Sequence, residues 1–315
     1  MISGKVCIAG ASGYLGHRLV SALRARSIPV VGILKNRSTA ADQTRLVSQG
    51  AALAFVDATL LEPFTDAVVD ATVAVSCMAS SNIHVDSSGD FWAIDRDANI
   101  RFGLEAVRAG IRHVVLVATF EGRDSRLVSA FSEAKECAVD AIGDACREAG
   151  VIFTVIRPTA YFSDLTDRAF ESVLKTGRHT VIGDGSHRIN PVSGDDVAVF
   201  IVDCLEDPAR AGREHQIGGP DIFSFREIGM LAADVLGQSK PLKIRSIPVW
   251  GLQLFASLAA LAGLVSRGRR RSEAMLRWMI YSGTHDAIAP ACGRMRLYDE
   301  YCSKRDDLLK SKIFP

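Results

Sequence analysis

Apolar and polar positions follow two alternating patterns along the first half of the chain, one typical of strands and one typical of helices. Short runs rich in Val and Ile have the length and composition of strands buried on both faces, and they lie at residues 5–9, 29–34, 52–56, 72–76, 113–118 and 151–156. Stretches with helical spacing of apolar positions separate them, at 14–26, 40–49, 95–109 and 127–149. This alternation predicts an α/β fold with a doubly wound parallel sheet and right-handed crossovers. A ligand is then expected at the carboxyl ends of the strands.

The rhythm changes after Arg157-Pro158. Longer helical stretches follow, at 163–176, 195–206, 225–237 and 248–280, and short strand patterns at 179–182, 214–217 and 242–246 interrupt them. We therefore expect a dinucleotide-type sheet domain at 1–158. A smaller, mostly helical substrate-binding part is expected at 159–315, interleaved with the sheet rather than independent of it.

A glycine-rich turn follows the first predicted strand and opens an amphipathic helix. In such a turn Gly10 permits the tight bend, Gly13 lets the backbone approach a pyrophosphate, and Gly16 lets the helix pack closely on the strand. The helix N-terminus then offers N–H groups and the positive end of its dipole to phosphates. The context predicts a Rossmann-type dinucleotide cradle built from Gly10, Ser12, Gly13, Tyr14, Leu15 and Gly16.

The end of the second predicted strand indicates which dinucleotide binds. An acidic residue here would hold the ribose 2′-hydroxyl of NAD, but the chain carries Lys35 and Arg37. These two side chains supply the charge and donors that a 2′-phosphate requires, which favours NADPH; the alternative is a pair of solvated surface cations. We expect Asp57 to accept a hydrogen bond from the adenine amino group, and the backbone at Ser76 and Cys77 to flank the cofactor.

The amino-acid composition of the chain limits the classes of function that it can have. The chain has 315 residues, is 48% hydrophobic and carries a net charge of +1, so it can bury a sizeable core and shows no global charge for nucleic acid. Its seven cysteines are scattered without a Cys-x-x-Cys or Cys/His cluster, which predicts neither disulfides nor a metal site. We expect a reducing compartment: the cytoplasm, or an organelle stroma if a presequence was removed.

Several segments along nearly the whole chain resemble the atypical short-chain dehydrogenase/reductase superfamily. They lie at 10–16, 95–99, 134–136, 156–164, 183–185, 188–191, 217–220 and 225–228. Together they look most like the NmrA-like subgroup that includes the divinyl chlorophyllide 8-vinyl reductases. The resemblance implies a Rossmann fold, a nicotinamide cofactor and hydride transfer.

The chain departs from the superfamily at the catalytic pair. Standard members use Tyr-x-x-x-Lys, where the Tyr exchanges a proton with the substrate oxygen, and a Ser at the end of the fifth strand. Here Phe131 stands four residues before Lys135, and the Ser position is Ala118. Residues four apart share a helix face, so Phe131 can pack against a ring but cannot supply a proton. The vinyl reductase group resembles this chain in having Phe at that place.

The remaining candidates follow from this departure. Lys135 is the first catalytic candidate, to bind ribose hydroxyls, stabilise developing charge or donate a proton; the alternative is a solvated helix lysine. Tyr161 is a second donor, or else a packed aromatic. By family analogy we place Thr119, Pro158 and Thr159 at the nicotinamide end of the cofactor. The substrate pocket is predicted to include His84, Phe131, Phe162 and Trp250, although His84 can equally be a plain loop residue.

The segment 249–265 is strongly apolar and runs into a basic stretch that ends at residue 271. It is short for a bilayer span, so we expect either a lid or core helix, or peripheral membrane contact through 249–271. Both suggest a hydrophobic substrate. The leading hypothesis is an NADPH-dependent reductase acting on a conjugated C=C or C=O bond. The alternatives are a non-catalytic NADP(H) redox sensor, and a carbonyl reductase or isomerase that uses a substitute acid.

Overall fold

The computed structural model describes residues 4–80, 91–263 and 267–310. The strands in chain order are β1 (Lys5–Ala9), β2 (Val30–Leu34), β3 (Ala52–Phe55), β4 (Ala71–Ser76), β5 (His113–Val117), β6 (Ile152–Pro158), β7 (Arg178–Ile182), β8 (Arg188–Ile189), β9 (Glu214–Ile217), β10 (Phe223–Ser224) and β11 (Lys243–Ile247).

The helices in chain order are α1 (Gly16–Ala25), α2 (Ala40–Ser48), α3 (Thr65–Val68), α4 (Asn99–Arg108), α5 (Gly122–Ser125), α6 (Ala130–Ala149), α7 (Asp167–Thr176), α8 (Gly194–Glu206), α9 (Phe225–Val235), α10 (Val249–Gly263), α11 (Arg267–Thr284) and α12 (Leu297–Lys310). Two π-helical segments, Trp92–Ala98 and Phe162–Thr166, lead directly into α4 and α7.

A seven-stranded sheet with the order β3-β2-β1-β4-β5-β6-β9 forms the core of the molecule. Strands β1 to β6 pair in parallel, with Val6 opposite both Val30 and Val73 in the centre. Four residues of β1 are fully buried, as the continuous apolar run predicted for a strand covered on both faces. The strand order reverses at β1, which has β2 on one side and β4 on the other. The predicted doubly wound α/β sheet is confirmed, and its switch point lies between β1 and β4.

The chain divides into two compact units. The first contains residues 1–157 and 197–215 and holds most of the large sheet. The second contains residues 158–196 and 216–315, with the strand pairs β7–β11 and β8–β10. Its hydrophobic core includes Phe170 and Tyr301, whose rings lie 4.9 Å apart, and the Tyr301 hydroxyl donates to the Thr166 carbonyl at 2.6 Å.

The strand predicted at 214–217 is confirmed as β9, which joins the seven-stranded sheet beside β6. Two predictions of local structure are corrected. The helix predicted at 248–280 is two helices, α10 and α11. The helix predicted from residue 95 begins instead as a π-helical segment at Trp92. Such segments carry one residue more per turn than an α-helix and often occur at functional sites.

Candidate functional site

The glycine turn after β1 lies against the backbone that follows β4. Gly10 has φ +79°, and a Cβ there would stand 3.0 Å from the Cys77 carbonyl. A Cβ on Gly16 would overlap the Gly10 carbonyl oxygen, which only the absence of a side chain permits. Gly13 is exposed between them. The turn is thus held closed against the sheet with its middle open, the arrangement that a pyrophosphate requires.

Three side chains support this turn. Leu15 is buried in the core, and the Tyr14 ring lies 4.0 Å under the Arg18 guanidinium. Arg45, on α2, donates from Nη2 to the Ser12 carbonyl at 3.1 Å and to Asp42 at 2.7 Å. Sequence reasoning missed Arg45, because its contact with the turn joins residues 33 positions apart in the chain.

Two exposed cations follow β2, as the sequence indicated. The Lys35 side chain is exposed, and that of Arg37 is 84% exposed with Nη2 3.8 Å from Oδ2 of the buried Asp57. Asp57 is held in place because its own N–H donates to Glu62 at 2.5 Å. The structure therefore brings Arg37 and Asp57 together beyond the ends of β2 and β3.

The end of β4 is fixed by internal hydrogen bonds. The Ser76 hydroxyl donates to Asn99 Oδ1 at 2.6 Å, and the Met78 N–H donates to the Ser76 hydroxyl at 3.3 Å. Burial raises the pKa of the Cys77 thiol to about 12, although the nearby Lys135 ammonium opposes this. The thiol is therefore neutral at physiological pH, and Cys77 contributes its backbone rather than a thiolate.

Lys135 projects from the first turns of α6 towards this same place. The helix begins where the Ser129 hydroxyl accepts the Phe131 N–H at 3.2 Å, an N-cap contact. The Lys135 side chain is 5% exposed, and its ammonium lies 3.0 Å from Oδ1 of Asp95 and donates to the Met78 carbonyl at 3.1 Å. The solvated-lysine alternative is excluded by this burial. An ammonium has three N–H donors, and among the described residues Lys135 uses one of them in a hydrogen bond, to the Met78 carbonyl.

Asp95 completes a buried ion pair with Lys135. Its side chain has no exposed surface, and its Oδ2 accepts the Ser80 N–H at 3.1 Å. Asn99, at the junction of the π-helical segment with α4, donates to the carbonyls of Ile94 at 2.9 Å and Asp95 at 3.2 Å. Sequence reasoning gave Asp95 no role. The available signal was two polar residues, Asp95 and Asn99, within a stripe of buried positions at helical spacing.

Phe131 lies one turn before Lys135 and sits among aromatic rings. Its ring is half-buried and contacts that of Phe91 edge-on at a centroid distance of 6.4 Å, and Phe91 in turn lies 5.7 Å from Trp92. Ala118 is in the core, whereas the Thr119 Oγ1 atom is buried with no hydrogen-bond partner among the described residues. The position of the usual proton donor is thus apolar, and a hydroxyl beyond β5 is free to meet a ligand.

A second buried ion pair anchors α6. The Arg157 guanidinium, at the end of β6, donates to Glu136 with distances of 2.6 and 2.9 Å, to Glu214 at 2.6 Å and to the Thr119 carbonyl at 2.9 Å. Glu136 directly follows Lys135 in the chain. Because the bidentate contact is buried and rigid, it fixes the rotation of α6 and hence the direction of the Lys135 side chain. Sequence reasoning missed this cluster too.

The remaining predicted residues lie in the second unit or outside the described residues. Thr159 donates from Oγ1 to the Asn190 carbonyl at 2.6 Å, and Pro158 ends β6. The Tyr161 N–H donates to Asp164 at 3.3 Å, and burial raises the pKa of that carboxyl. The Phe162 ring is 1% exposed and belongs to the core of this unit. Trp250 is 70% exposed on α10. Their roles stay predictions, and His84 lies outside the described residues.

The geometry of the first unit fits a dinucleotide. The glycine-rich turn, the cations beyond β2 and the buried ammonium all lie at the carboxyl ends of the strands around the switch point. In the part of the chain described here, no helix has the length and apolarity needed to cross a membrane.

Comparisons with known proteins agree with this geometry. The NAD(P)H-binding family model matches residues 10–208. Divinyl chlorophyllide a 8-vinyl-reductase of Oryza sativa subsp. indica is 28% identical over 270 residues, which are 80% of this chain and 65% of the rice protein. The Zea mays enzyme of that name is 29% identical over 92% of this chain and 76% of its own length. The chain thus spans somewhat less than two thirds of the rice relative.

The solved structures show the same fold. The NADPH-dependent quinone oxidoreductase QOR2 of Escherichia coli, complexed with NADPH, superposes with a TM-score of 0.67 at 16% identity, covering 96% of this chain and 99% of that one. The UDP-glucose 4-epimerase of Thermus thermophilus, complexed with NAD, gives a TM-score of 0.60 at 16% identity over 78% of this chain and 86% of its own. The chain belongs to the NAD(P)H-binding family and is a homologue of the divinyl chlorophyllide reductases.

Proposed function

We propose that this protein is an NADPH-dependent reductase that delivers hydride to a conjugated C=C or C=O bond of a hydrophobic small molecule. The observation that carries the proposal is the buried Lys135–Asp95 ion pair, 3.0 Å between charged atoms, next to the backbone that closes the glycine turn. Burying an ion pair costs desolvation that the attraction of its two charges often does not repay, and apolar residues could fill this place equally well, so we take the pair to serve a bound cofactor and substrate. When bound, NADPH supplies the hydride.

The residues of the chain do the positioning. The backbone of Met78 connects the glycine turn with Lys135. Its nitrogen lies against Gly10, and its carbonyl oxygen accepts a hydrogen bond from the Lys135 ammonium. Lys135 therefore holds a positive charge at a fixed distance from the cradle, where it binds ribose hydroxyls and stabilises negative charge that develops on the substrate. Asp95 pairs with the ammonium and fixes its direction. The proton is delivered by Lys135, directly or through water, or by Tyr161.

The cations after β2 support NADPH over NADH. Lys35 and Arg37 are exposed, as donors to a phosphate should be before it binds, and Arg37 is placed beside Asp57. The quinone oxidoreductase with the same fold is described as NADPH-dependent. We assign the 2′-phosphate to these two side chains.

Aromatic rings in the same unit as Lys135 support a flat, conjugated substrate. Phe91, Trp92 and Phe131 form a group of rings within the same unit. The relatives are named for a divinyl tetrapyrrole, and the structural neighbour is named for a quinone; both are flat and conjugated. A molecule of this class would stack on aromatic rings, while the ammonium meets the end of the conjugated system where charge accumulates.

A substrate panel tests the proposal. NADPH consumption by the purified chain is followed with conjugated enones, quinones and divinyl tetrapyrroles, and cofactor binding is followed in parallel by fluorescence. We expect turnover with at least one class, and faster turnover with NADPH than with NADH. In Tyr161→Phe, loss of turnover with intact NADPH binding would assign the proton to Tyr161; unchanged turnover would leave Lys135 as the donor.

A specific observation favours a second function. Phe131 and Ala118 leave both usual hydroxyl positions without a proton donor, as expected of an NADP(H) sensor that performs no chemistry. Tight binding of NADPH without consumption across the whole panel would support the sensor and contradict the reductase.

A further inference from the structure

One face of α10 is apolar and exposed. Trp250, Leu254 and Leu258 follow one another at intervals of four and are 70%, 55% and 55% exposed; Phe255, on the adjoining row, is 65% exposed. Positions spaced by four lie in one row along a helix, so the four side chains form a continuous strip. We call it the α10 strip. Contiguous apolar surfaces of this kind commonly mark an interaction site.

The opposite side of α10 is already used within its own unit. Ala256 is 2% exposed, and Ala274, on the helix α11 that packs against α10, is 1% exposed. These small residues let the two helices approach closely. The α10 strip therefore points away from the side of α10 that packs against α11. This packing keeps the strip exposed although its side chains are apolar.

The sequence that follows the strip is basic up to residue 272. Between Val249 and Ser272 the sequence contains no acidic residue, and it contains four arginines: Arg267, Arg269, Arg270 and Arg271. The backbone of all four belongs to the first turns of α11, immediately beyond the end of α10. An exposed apolar helix face that includes Trp and Phe, beside a cluster of arginines, is the pattern of a helix that lies in a membrane interface.

We propose that the α10–α11 hairpin binds the surface of an anionic membrane. The α10 strip enters the boundary between headgroups and acyl chains, with the Trp250 indole at headgroup level, and the arginines pair with lipid phosphates. Charge complementarity favours this occupant, because the four arginines that follow α10 in the sequence supply the positive charge that lipid phosphates attract. No described helix is suited to cross the bilayer, so the contact is peripheral.

Vesicle flotation tests this proposal with the full chain. The probes are phosphatidylcholine vesicles with and without phosphatidylglycerol, at low and high salt. We expect the wild-type chain to float with the anionic vesicles only, and less so at high salt. Leu254→Ser/Leu258→Ser, and separately the replacement of the four arginines by Gln, should each weaken binding about tenfold or more. Leu60→Ser/Leu127→Ser is the matched control, because it removes two leucines that are 68% and 97% exposed elsewhere, and it should float like the wild type.

Two further readouts make the result decisive. Brominated lipids should quench tryptophan fluorescence of the wild type, and this quenching should be lost in Trp250→Phe. Circular dichroism melting confirms that each variant is folded. Wild-type chain that stays unbound on anionic vesicles overturns the proposal. So does a concentration-dependent dimer that Leu254→Ser/Leu258→Ser abolishes, since the strip would then belong to a second copy. Neither outcome bears on the reductase, whose assays use soluble substrate.

Discussion

The charges around the dinucleotide cradle are of two kinds at the scale of single residues. Lys135 and Asp95 are buried, 5% and 0% exposed, and each depends on the other. Lys35 and Arg37 are exposed and make few contacts, so they are available to a ligand and contribute little to folding. Variants of the exposed pair therefore report on cofactor recognition, whereas variants of the buried pair report on folding and chemistry together.

The exposed pair gives the first prediction. Lys35→Ala/Arg37→Ala should weaken NADPH binding about a hundredfold or more, since each of the two charge-assisted hydrogen bonds to the 2′-phosphate contributes about 1.5–3 kcal/mol. NADH affinity should not change. Isothermal titration with both cofactors checks this, with Arg108→Ala/Arg147→Ala as the control at the ends of α4 and α6. Equal losses for NADPH and NADH would show that the two cations do not read the 2′-phosphate.

At the scale of elements, the turn between β1 and α1 places the cofactor. Gly10 and Gly16 allow backbone to lie against backbone, so the turn requires that these two positions carry no side chain. This property is local, and the sequence revealed it. By contrast, Gly251 lies within α10, where a Cβ would stand 3.6 Å from the Pro248 ring, an ordinary contact.

Gly16 and Gly251 make a matched pair for substitution by alanine. Gly16→Ala should destabilise the fold by about 1–3 kcal/mol, because its Cβ overlaps the Gly10 carbonyl and the turn must open. It should also abolish measurable NADPH binding. Gly251→Ala should be neutral or stabilising by up to about 1 kcal/mol, from improved helix propensity. Urea unfolding and NADPH fluorescence measure both. If Gly16→Ala bound NADPH like the wild type, the assigned role of the turn would be wrong.

The helices and strands also show which features could be predicted from the sequence and which could not. Strand and helix positions in the first unit were readable because burial on both faces leaves continuous apolar runs. The pairing of Lys135 with Asp95 was not readable, since it joins residues 40 positions apart through a π-helical segment. The break between α10 and α11 was missed although Gly263 and Gly268 stand on either side of it. Arg157 and Glu136 looked like ordinary charged residues, as only the packed sheet reveals that both are buried.

At the scale of the whole molecule, a buried histidine couples folding to pH. His113, on β5, is 6% exposed with Nε2 2.8 Å from the Thr154 hydroxyl, and burial lowers its pKa from 6.5 to about 4. The folded state thus keeps His113 neutral, while the unfolded chain binds a proton below pH 6.5. The contribution of His113 to the free energy of unfolding is therefore fully present above the pKa that the group has in the unfolded chain. It is lost as the pH falls towards the pKa of the folded state.

We expect His113 to lower the free energy of unfolding by about 3 kcal/mol between pH 6.5 and pH 4. In His113→Gln this part of the pH dependence should disappear, whereas His285→Gln, which changes an exposed histidine, should retain it. Urea unfolding at a series of pH values measures both variants. An unchanged slope in His113→Gln would show that other groups cause the acid sensitivity.

The central claim is that Lys135, buried against Asp95 beside the cradle, makes this chain a working reductase. The most direct measurement is the turnover number at saturating NADPH, with a substrate found in the panel. Wild type is compared with Lys135→Gln/Asp95→Asn, which removes both buried charges and so avoids leaving one unmatched. Lys175→Gln, an exposed helix lysine, is the control. We predict a double variant that melts near the wild type and loses turnover by about a hundredfold or more. A folded double variant with wild-type turnover would contradict the account.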